Sequence, residues 1–255
     1  TPFILRRNKK EVLTELPDKI EQNIILPFND EEEKLYVANL AEANKELQEL
    51  YDLEGSDKMQ ILKLLTRLRQ LCLEPRLVYD DIDQPSSKLK ACMELIKTMQ
   101  ENKQKVLLFS SFTSVLDLIA EECQKAGITY YMLTGSTNKE DRRELVSRFQ
   151  KDDTTLFLIS LKAGGTGLNL TSAEVVIHFD PWWNVSAQNQ ATDRAYRIGQ
   201  KNNVQVFNLV MKDSVEEKII ELQKRKKELA DMFVENNSGG LSQMSKEDIL
   251  SLFTM

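Results

Sequence analysis

The chain has 255 residues, of which 41% are hydrophobic and 29% are charged, and its formal net charge is −6. These values favour a water-soluble globular protein, and no apolar run approaches the ~20 residues that a membrane-spanning helix needs. The acidic balance excludes binding to nucleic acid by bulk charge alone, so any nucleic-acid contact must come from a local patch.

The cysteine and histidine content narrows the chemistry further. Three widely spaced cysteines, Cys72, Cys92 and Cys123, favour a reducing compartment and argue against a disulfide framework or a zinc site. The single histidine, His178, excludes a two-histidine mechanism, and its place in an apolar strand predicts a hydrogen-bonded core residue. The N-terminus has neither a starting Met nor a signal-peptide core, so we expect a piece of a longer chain.

The first third of the chain is predicted to be mainly helical. Residues 1–29 are punctuated by prolines and are predicted to be irregular. Residues 30–75 are predicted to form a helical hairpin, because apolar residues recur every three or four positions on either side of Gly55. These positions are Tyr36, Leu40, Ala43, Leu47 and Leu50 in the first helix and Ile61, Leu65, Leu68 and Cys72 in the second. Residues 76–87 are acidic and turn-rich, which favours a linker.

Residues 88–213 alternate short apolar runs with amphipathic segments. The predicted strands are 106–109, 129–132, 155–159, 175–179 and 204–209, and the predicted helices are 113–126, 138–150 and 187–197. This alternation predicts a doubly wound α/β domain whose mainly parallel sheet is covered by helices on both faces. Capping boxes are predicted at Thr137 with Glu140 and at Ser214 with Glu217. Residues 214–255 are predicted to form a long helix and a short final one.

The most informative segment runs from Gln190 to Lys201. It is predicted to be a short helix on which Arg194 and Arg197, three residues apart, share one face with Gln190. Two guanidinium groups that point the same way suit a polyanion such as a triphosphate, as in the arginine finger of nucleotide hydrolysis. The alternative for this helix taken alone is a solvated ion pair between Asp193 and Arg197.

A glycine-rich loop follows the predicted strand at 155–159. Three glycines, Gly164, Gly165 and Gly167, allow backbone N–H groups to approach an anion closely. The dinucleotide-binding fingerprint is incomplete because residue 170 is Leu, and no Walker A sequence occurs in the chain. A turn that requires a positive φ, without any ligand, is the alternative.

Three further loops follow predicted strands. Thr134 and Gly135 precede a helix N-terminus, which suits a phosphate oxygen, although a plain turn needs no ligand. The hydroxyl of Ser111 suits contact with a nucleic-acid backbone, or the capping of the next helix. Trp182 and Trp183 stand side by side, and we expect one to lie in the core and the other to be exposed.

Together, the order and spacing of these segments resemble the second RecA-like lobe of a Swi/Snf-type DNA translocase, a branch of the superfamily 2 helicase-like ATPases. Residues 107–112 resemble motif IV, 133–149 motif IVa, 163–170 motif V, 183–184 its extension, and 190–200 motif VI. The N-terminal segment resembles the connection between the two lobes, the hairpin resembles the family's helical protrusion, and 214–235 resembles its brace helix. Tyr196 and Val185 stand where the family usually has His and Pro, which leaves the subfamily open.

The resemblance implies roles for individual residues. Arg194 and Arg197 would be arginine fingers on the γ-phosphate of ATP, and Gly165, Gly167 and Gln190 would lie at the nucleotide cleft. The implied contacts with double-stranded DNA are Ser111, Thr134, Gly135, Lys162 and Trp183. The family's phosphate loop, catalytic lysine and magnesium-binding acids belong to the first lobe, so Mg²⁺ would be held there and this chain would bind no metal.

These roles imply half of a motor that remodels chromatin or other protein–DNA complexes. We expect the chain to be inactive as an ATPase alone, monomeric, away from membranes, and active only with the first lobe of the same protein. It would work in the cytoplasm of a bacterium or archaeon, or in the nucleus of a eukaryote. Two alternatives stay open: a stand-alone nucleic-acid or protein interaction module, and a cofactor-binding enzyme of the Rossmann type, which the missing third glycine disfavours.

Overall fold

The computed structural model describes residues 16–52, 58–164, 167–233 and 250–253. It contains a six-stranded sheet in the order β1-β6-β5-β2-β4-β3, and every neighbouring pair is parallel. The strands are β1 (Lys19–Leu26), β2 (Val106–Ser110), β3 (Tyr130–Leu133), β4 (Leu156–Ser160), β5 (Val175–His178) and β6 (Val204–Met211). The helices are α1 (Asp30–Asp52), α2 (Lys58–Leu73), α3 (Ser87–Glu101), α4 (Thr113–Lys125), α5 (Lys139–Phe149), α6 (Leu161–Gly164), α7 (Val185–Thr192) and α8 (Val215–Phe233).

Helices cover both faces of the sheet, which confirms the predicted fold class. All five residues of β2 are buried, as expected for a central parallel strand. Because successive side chains alternate, Leu108 packs with α3 and α4 on one face, whereas Leu107 and Phe109 pack with α5 and α7 on the other. Among the described residues, no helix is both long and apolar enough to cross a membrane.

The α1–α2 hairpin forms its own core against α8. At its start, the side chain of Asn29 accepts hydrogen bonds from the N–H groups of Glu31 and Glu32, at 3.0 and 2.9 Å, and Glu32 accepts one back from Asn29 N–H at 3.1 Å. This reciprocal cap satisfies donors that a helix start leaves open. The buried hydroxyl of Tyr36 accepts from Val215 N–H at 2.7 Å, which fastens α1 to the first turn of α8.

Two elements differ from the sequence-based prediction. Residues 1–29 were predicted to be irregular, but β1 lies within them and pairs with β6 along its whole length, so the sheet has six strands instead of five. The helix α3 was not predicted, and it begins at the last residue of the proposed linker 76–87. Its Lys88 forms a buried ion pair with Glu216 of α8 at 2.7 Å, which joins α3 to the C-terminal helix.

The predicted caps also differ in detail. Asn138, and not Thr137, caps α5, because its side chain accepts from the N–H groups of Glu140 and Asp141. The Ser214 hydroxyl accepts from the N–H group of Glu216 and not from that of Glu217, so the predicted capping box of Ser214 with Glu217 is wrong in this hydrogen bond. The three cysteine thiols are buried and unbridged. The predicted final helix lies mostly outside the described residues.

Candidate functional site

The two arginines of the segment 190–201 meet at one pocket of about 330 Å³. We call this space the arginine pocket. It is lined by Leu16, Gly167, Gln190, Asp193, Arg194, Arg197 and Ile198. The prediction of one helix through 190–201 was wrong, because α7 ends at Thr192 and both arginines lie in the turns that follow. Hydrogen bonds to neighbouring segments hold these turns in place. The carbonyl of Arg194 accepts one from Leu170 N–H at 3.0 Å. The side chain of Gln200 donates to the carbonyl groups of Ala173 and Ala195.

The arginine pocket holds two like charges close together. Arg194 is half-buried and Arg197 is exposed. Burial and then the positive charge of Arg197 lower the pKa of Arg194, while Asp193 acts in the opposite direction. A guanidinium group stays protonated at neutral pH even so. An anion that entered the pocket would relieve this repulsion, so the local electrostatics favour a ligand with several negatively charged oxygens.

Gly167 lies at the border of the arginine pocket and has a φ of +36°, in the left-handed region that favours glycine. It also borders a second, larger pocket of about 710 Å³, which Lys139, Arg142 and Arg143 of α5 line together with neighbouring residues. Gln190, from α7, is exposed at the arginine pocket. Gly165, the other glycine predicted at a nucleotide site, lies outside the described residues.

The five residues implied as DNA contacts belong to the segments that follow β2, β3, β4 and β5, with Lys162 in the short helix α6 after β4. Because these strands are parallel, their carboxyl ends lie together along one side of the sheet, its carboxyl-terminal edge. Lys162 and Gly135 are exposed, and Thr134 is half-buried with its hydroxyl 2.8 Å from that of Ser136. This edge therefore presents a hydroxyl group, a bare glycine backbone and a positive charge side by side. Ser111 and Trp183 are engaged differently.

A buried carboxylate organises the loops that carry Ser111 and Trp183. The side chain of Asp180 is 1% exposed and accepts from the guanidinium of Arg69 at 2.8 Å. It also accepts from the Ser110 hydroxyl at 2.7 Å, from Ser111 N–H at 3.0 Å and from the Ser111 hydroxyl. Arg69, on α2, donates to the Ser111 hydroxyl at 3.0 Å as well. We call this set, with the loop from Asp180 to Trp183, the Asp180 junction.

Aromatic rings surround the same guanidinium. The central carbon of the Arg69 guanidinium lies 5.0 Å from the ring centroid of Phe112 and 5.5 Å from those of Trp182 and Trp183. Both tryptophans are half-buried, so the expectation of one buried and one exposed ring was wrong. Each ring packs against a different apolar cluster. Trp182 packs against the cluster that includes Ala191 of α7, and Trp183 packs against the cluster of the hairpin. The guanidinium group of Arg69 lies near both rings.

The sequence offered a partial signal for Arg69. It lies four residues after Leu65 and three before Cys72, on the apolar face of α2, where a charged side chain must find a partner. No local pattern identified Asp180 as that partner, because the two residues are 111 positions apart.

His178 is buried, as predicted, but only half satisfied. Its Nε2 lies 2.9 Å from the Thr192 hydroxyl, its ring stacks on Phe109, and its Nδ1 has no hydrogen-bond partner among the described residues. Burial lowers the pKa of His178 to about 4, so the ring is neutral at physiological pH. Within the part of the chain that the structure describes, no three His, Cys, Asp or Glu side chains are grouped to hold a metal ion.

Comparison with known proteins gives a consistent picture. Residues 1–77 match the SNF2-related domain family and residues 87–199 match the helicase conserved C-terminal domain family. A relative from Mycoplasma pneumoniae named as an uncharacterized ATP-dependent helicase is 39% identical over 254 residues, which cover 99% of this chain and 24% of the relative. The chain thus spans about a quarter of that relative's length.

Two solved structures from Sulfolobus solfataricus have the same fold. The SWI2/SNF2 ATPase C-terminal domain superposes with a TM-score of 0.73 at 27% sequence identity. The superposition covers 92% of this chain and 98% of the Sulfolobus chain. The SWI2/SNF2 ATPase core in complex with dsDNA superposes with a TM-score of 0.75 at 32% sequence identity. This superposition covers 98% of this chain but 54% of the Sulfolobus chain.

Proposed function

Because the chain belongs to the Swi/Snf-type helicase-like ATPases, we propose that it is the second motor lobe of an ATP-dependent translocase on double-stranded DNA. The observation that carries this proposal is the arginine pocket, which the guanidinium groups of Arg194 and Arg197 line together. Such a pocket offers the positive charge that one side of a triphosphate needs.

In this proposal, Arg194 and Arg197 act on the γ-phosphate of ATP. Arg197 is exposed and able to reach across a cleft, whereas Arg194 is held by the turn that Leu170 anchors. When bound by the first lobe, Mg²⁺ neutralises charge on the β- and γ-phosphates. The two arginines then stabilise the charge that spreads over the γ-phosphate oxygens as its bond breaks. Gly165, Gly167 and Gln190 border the nucleotide.

The edge formed by the strand ends is proposed to contact the DNA backbone. Hydroxyl groups, backbone N–H groups and lysine are the usual donors to phosphate oxygens, and such contacts position a protein on DNA without reading its sequence. Thr134, Gly135 and Lys162 would supply such donors, and Ser111 and Trp183, in the loops that the Asp180 junction holds, would complete the surface that contacts the DNA. Translocation would follow from this lobe closing on and opening from the first lobe of the same protein, once per ATP. The protein would act as a monomer, in the cytoplasm or nucleus according to its host.

Replacement of Arg197 by Ala in the full-length parent tests this function. ATP turnover stimulated by duplex DNA should fall by ~10³-fold or more, because an arginine finger contributes about that factor, while duplex binding measured by fluorescence anisotropy is kept. Arg148→Ala is the matched control, since Arg148 is an exposed arginine on α5 that pairs with Glu144 at 3.4 Å, away from the arginine pocket. It should leave turnover unchanged.

Unchanged turnover in Arg197→Ala would refute the finger role. It would favour the alternative of an interaction module, whose function in the full-length protein does not need paired arginines. A further expectation is that the 255-residue chain alone does not hydrolyse ATP, since its sequence contains no Walker A phosphate loop. Duplex-stimulated turnover by the purified chain would contradict this.

A further inference from the structure

Arg69 is buried behind two of the proposed DNA contacts, Ser111 and Trp183, and does not line the arginine pocket. It belongs to the hairpin, yet its side chain is 7% exposed and inserts between two loops at the end of the sheet. One of its terminal nitrogens lies within hydrogen-bonding distance of the Ser111 hydroxyl, the Asp180 carboxylate and the Pro181 carbonyl, at 3.0, 2.8 and 3.4 Å. The hairpin is thereby bonded to the loop after β2 and to the loop after β5.

Three helices meet on the second of these loops. Arg69 of α2 binds Asp180, at the start of this loop. The side chain of Gln188 of α7 accepts from Trp182 N–H at 3.2 Å, and the side chain of Gln223 of α8 donates to the Trp182 carbonyl. The helix α7 leads directly into the arginine pocket. The orientation of this loop therefore depends on the hairpin, on the C-terminal helix and on the segment that carries the arginines.

We infer that Arg69 is a positioning residue that fixes the loops of Ser111 and Trp183 in the orientation that binds DNA, a role that rests on the proposed function. A planar guanidinium between aromatic rings has one preferred plane, and its hydrogen bonds have fixed directions. A buried ion pair is often no more stabilising than apolar residues of the same volume, so stability alone does not account for a charged group here. Lysine would keep the charge and one donating nitrogen but lose the planar group that lies between the aromatic rings.

The test uses the full-length parent with Arg69→Lys. ATP hydrolysis is titrated with duplex DNA, which separates the DNA concentration for half-maximal stimulation from turnover at saturating DNA. The half-maximal concentration should rise by about tenfold, because an ammonium lacks the planar group that the aromatic rings hold in place, while turnover at saturation stays within about twofold. The control is Arg67→Lys on the same helix, whose side chain pairs within the hairpin with Glu42 at 3.6 Å and should leave both quantities unchanged.

A double variant identifies the route of the effect. If Arg69 acts through Ser111, then Arg69→Lys combined with Ser111→Ala should raise the half-maximal DNA concentration no further than Ser111→Ala alone. Multiplying effects would overturn the inference, and so would a drop in thermal stability with no change in the DNA titration. Should Arg69→Lys not fold, Asp180→Asn approaches the same contacts from the other side and must shift the titration in the same direction, or the inference fails. Retained turnover in Arg197→Ala would instead refute the proposed function itself.

Discussion

The arginine pocket and the Asp180 junction place the same kind of side chain in opposite conditions. Arg197 is exposed, next to a second arginine, in a pocket open to a ligand. Arg69 is almost completely buried, and its guanidinium contacts a carboxylate, a hydroxyl and three aromatic rings. The difference teaches that an arginine whose contacts are completed within the chain organises structure, whereas one that repels its neighbour and faces solvent is suited to an incoming anion.

Stability measurements should separate these two environments most strongly. Asp180→Ala leaves the buried charge of Arg69 without its carboxylate, so the free energy of unfolding should fall by about 3–5 kcal/mol. Arg197→Ala removes an exposed side chain and should change it by less than about 0.5 kcal/mol. Urea unfolding of the 255-residue chain, followed by circular dichroism, measures both. Similar losses in the two variants would mean that the pocket arginine is also part of the folded framework.

The junction side of the molecule should also respond to pH through His178, two residues before Asp180. The pKa of His178 is about 4 in the folded chain and 6.5 without structural effects, so the unfolded chain binds the proton first as pH falls. Its contribution to stability is therefore complete above pH 6.5 and is lost as pH falls towards 4, by up to about 3 kcal/mol.

The variant His178→Phe isolates this contribution. Carboxylates that do not interact with His178 titrate alike in both chains, so the difference between wild type and variant removes their effect. The wild-type free energy of unfolding should fall more steeply than that of the variant between pH 6.5 and 4. Parallel curves would show that the ring is not kept neutral by burial. Arg197→Ala, at the exposed pocket, should leave the shape of the wild-type curve unchanged.

The arginine pocket shows what local sequence patterns can predict. The spacing of Arg194 and Arg197 predicted correctly that they lie together with Gln190, although the backbone that brings them together is a pair of turns and not a helix. The helix α3 was predictable too, because its buried residues Leu89, Cys92, Met93, Ile96 and Met99 recur at helical spacing. The acidic, turn-rich residues before it predicted a linker that leads directly into the first apolar strand.

The strand β1 and the Asp180 junction could not be predicted in this way. The strand has three consecutive polar residues, Glu21, Gln22 and Asn23, and forms at the edge of the sheet only because β6 offers it a partner some 180 positions away. The pairing of Arg69 with Asp180 likewise depends on how the hairpin packs onto the sheet. Contacts between distant segments leave no periodic signal, so the sequence identified the exposed pocket and missed the buried junction.

The smallest effect we predict concerns glycines on the two sides of the proposed site. Gly167 has a φ of +36° at the arginine pocket, whereas Gly135, at the proposed DNA edge, has no positive φ. At either position an added Cβ would meet no atom of the described residues within 4 Å. Gly167→Ala should therefore cost about 1 kcal/mol through backbone strain alone. Gly135→Ala should be neutral or stabilise the chain by up to about 1 kcal/mol, because it restricts the unfolded state.

Urea unfolding of the two variants measures this difference without any ligand. Equal stabilities would mean that the loop of Gly167 relaxes to accommodate alanine, and that its conformation is not imposed by the surrounding fold. A difference of the predicted sign would mean that the chain holds Gly167 in its left-handed conformation before any nucleotide arrives. The arginine pocket would then be preorganised on its glycine side, even though Arg197 remains exposed.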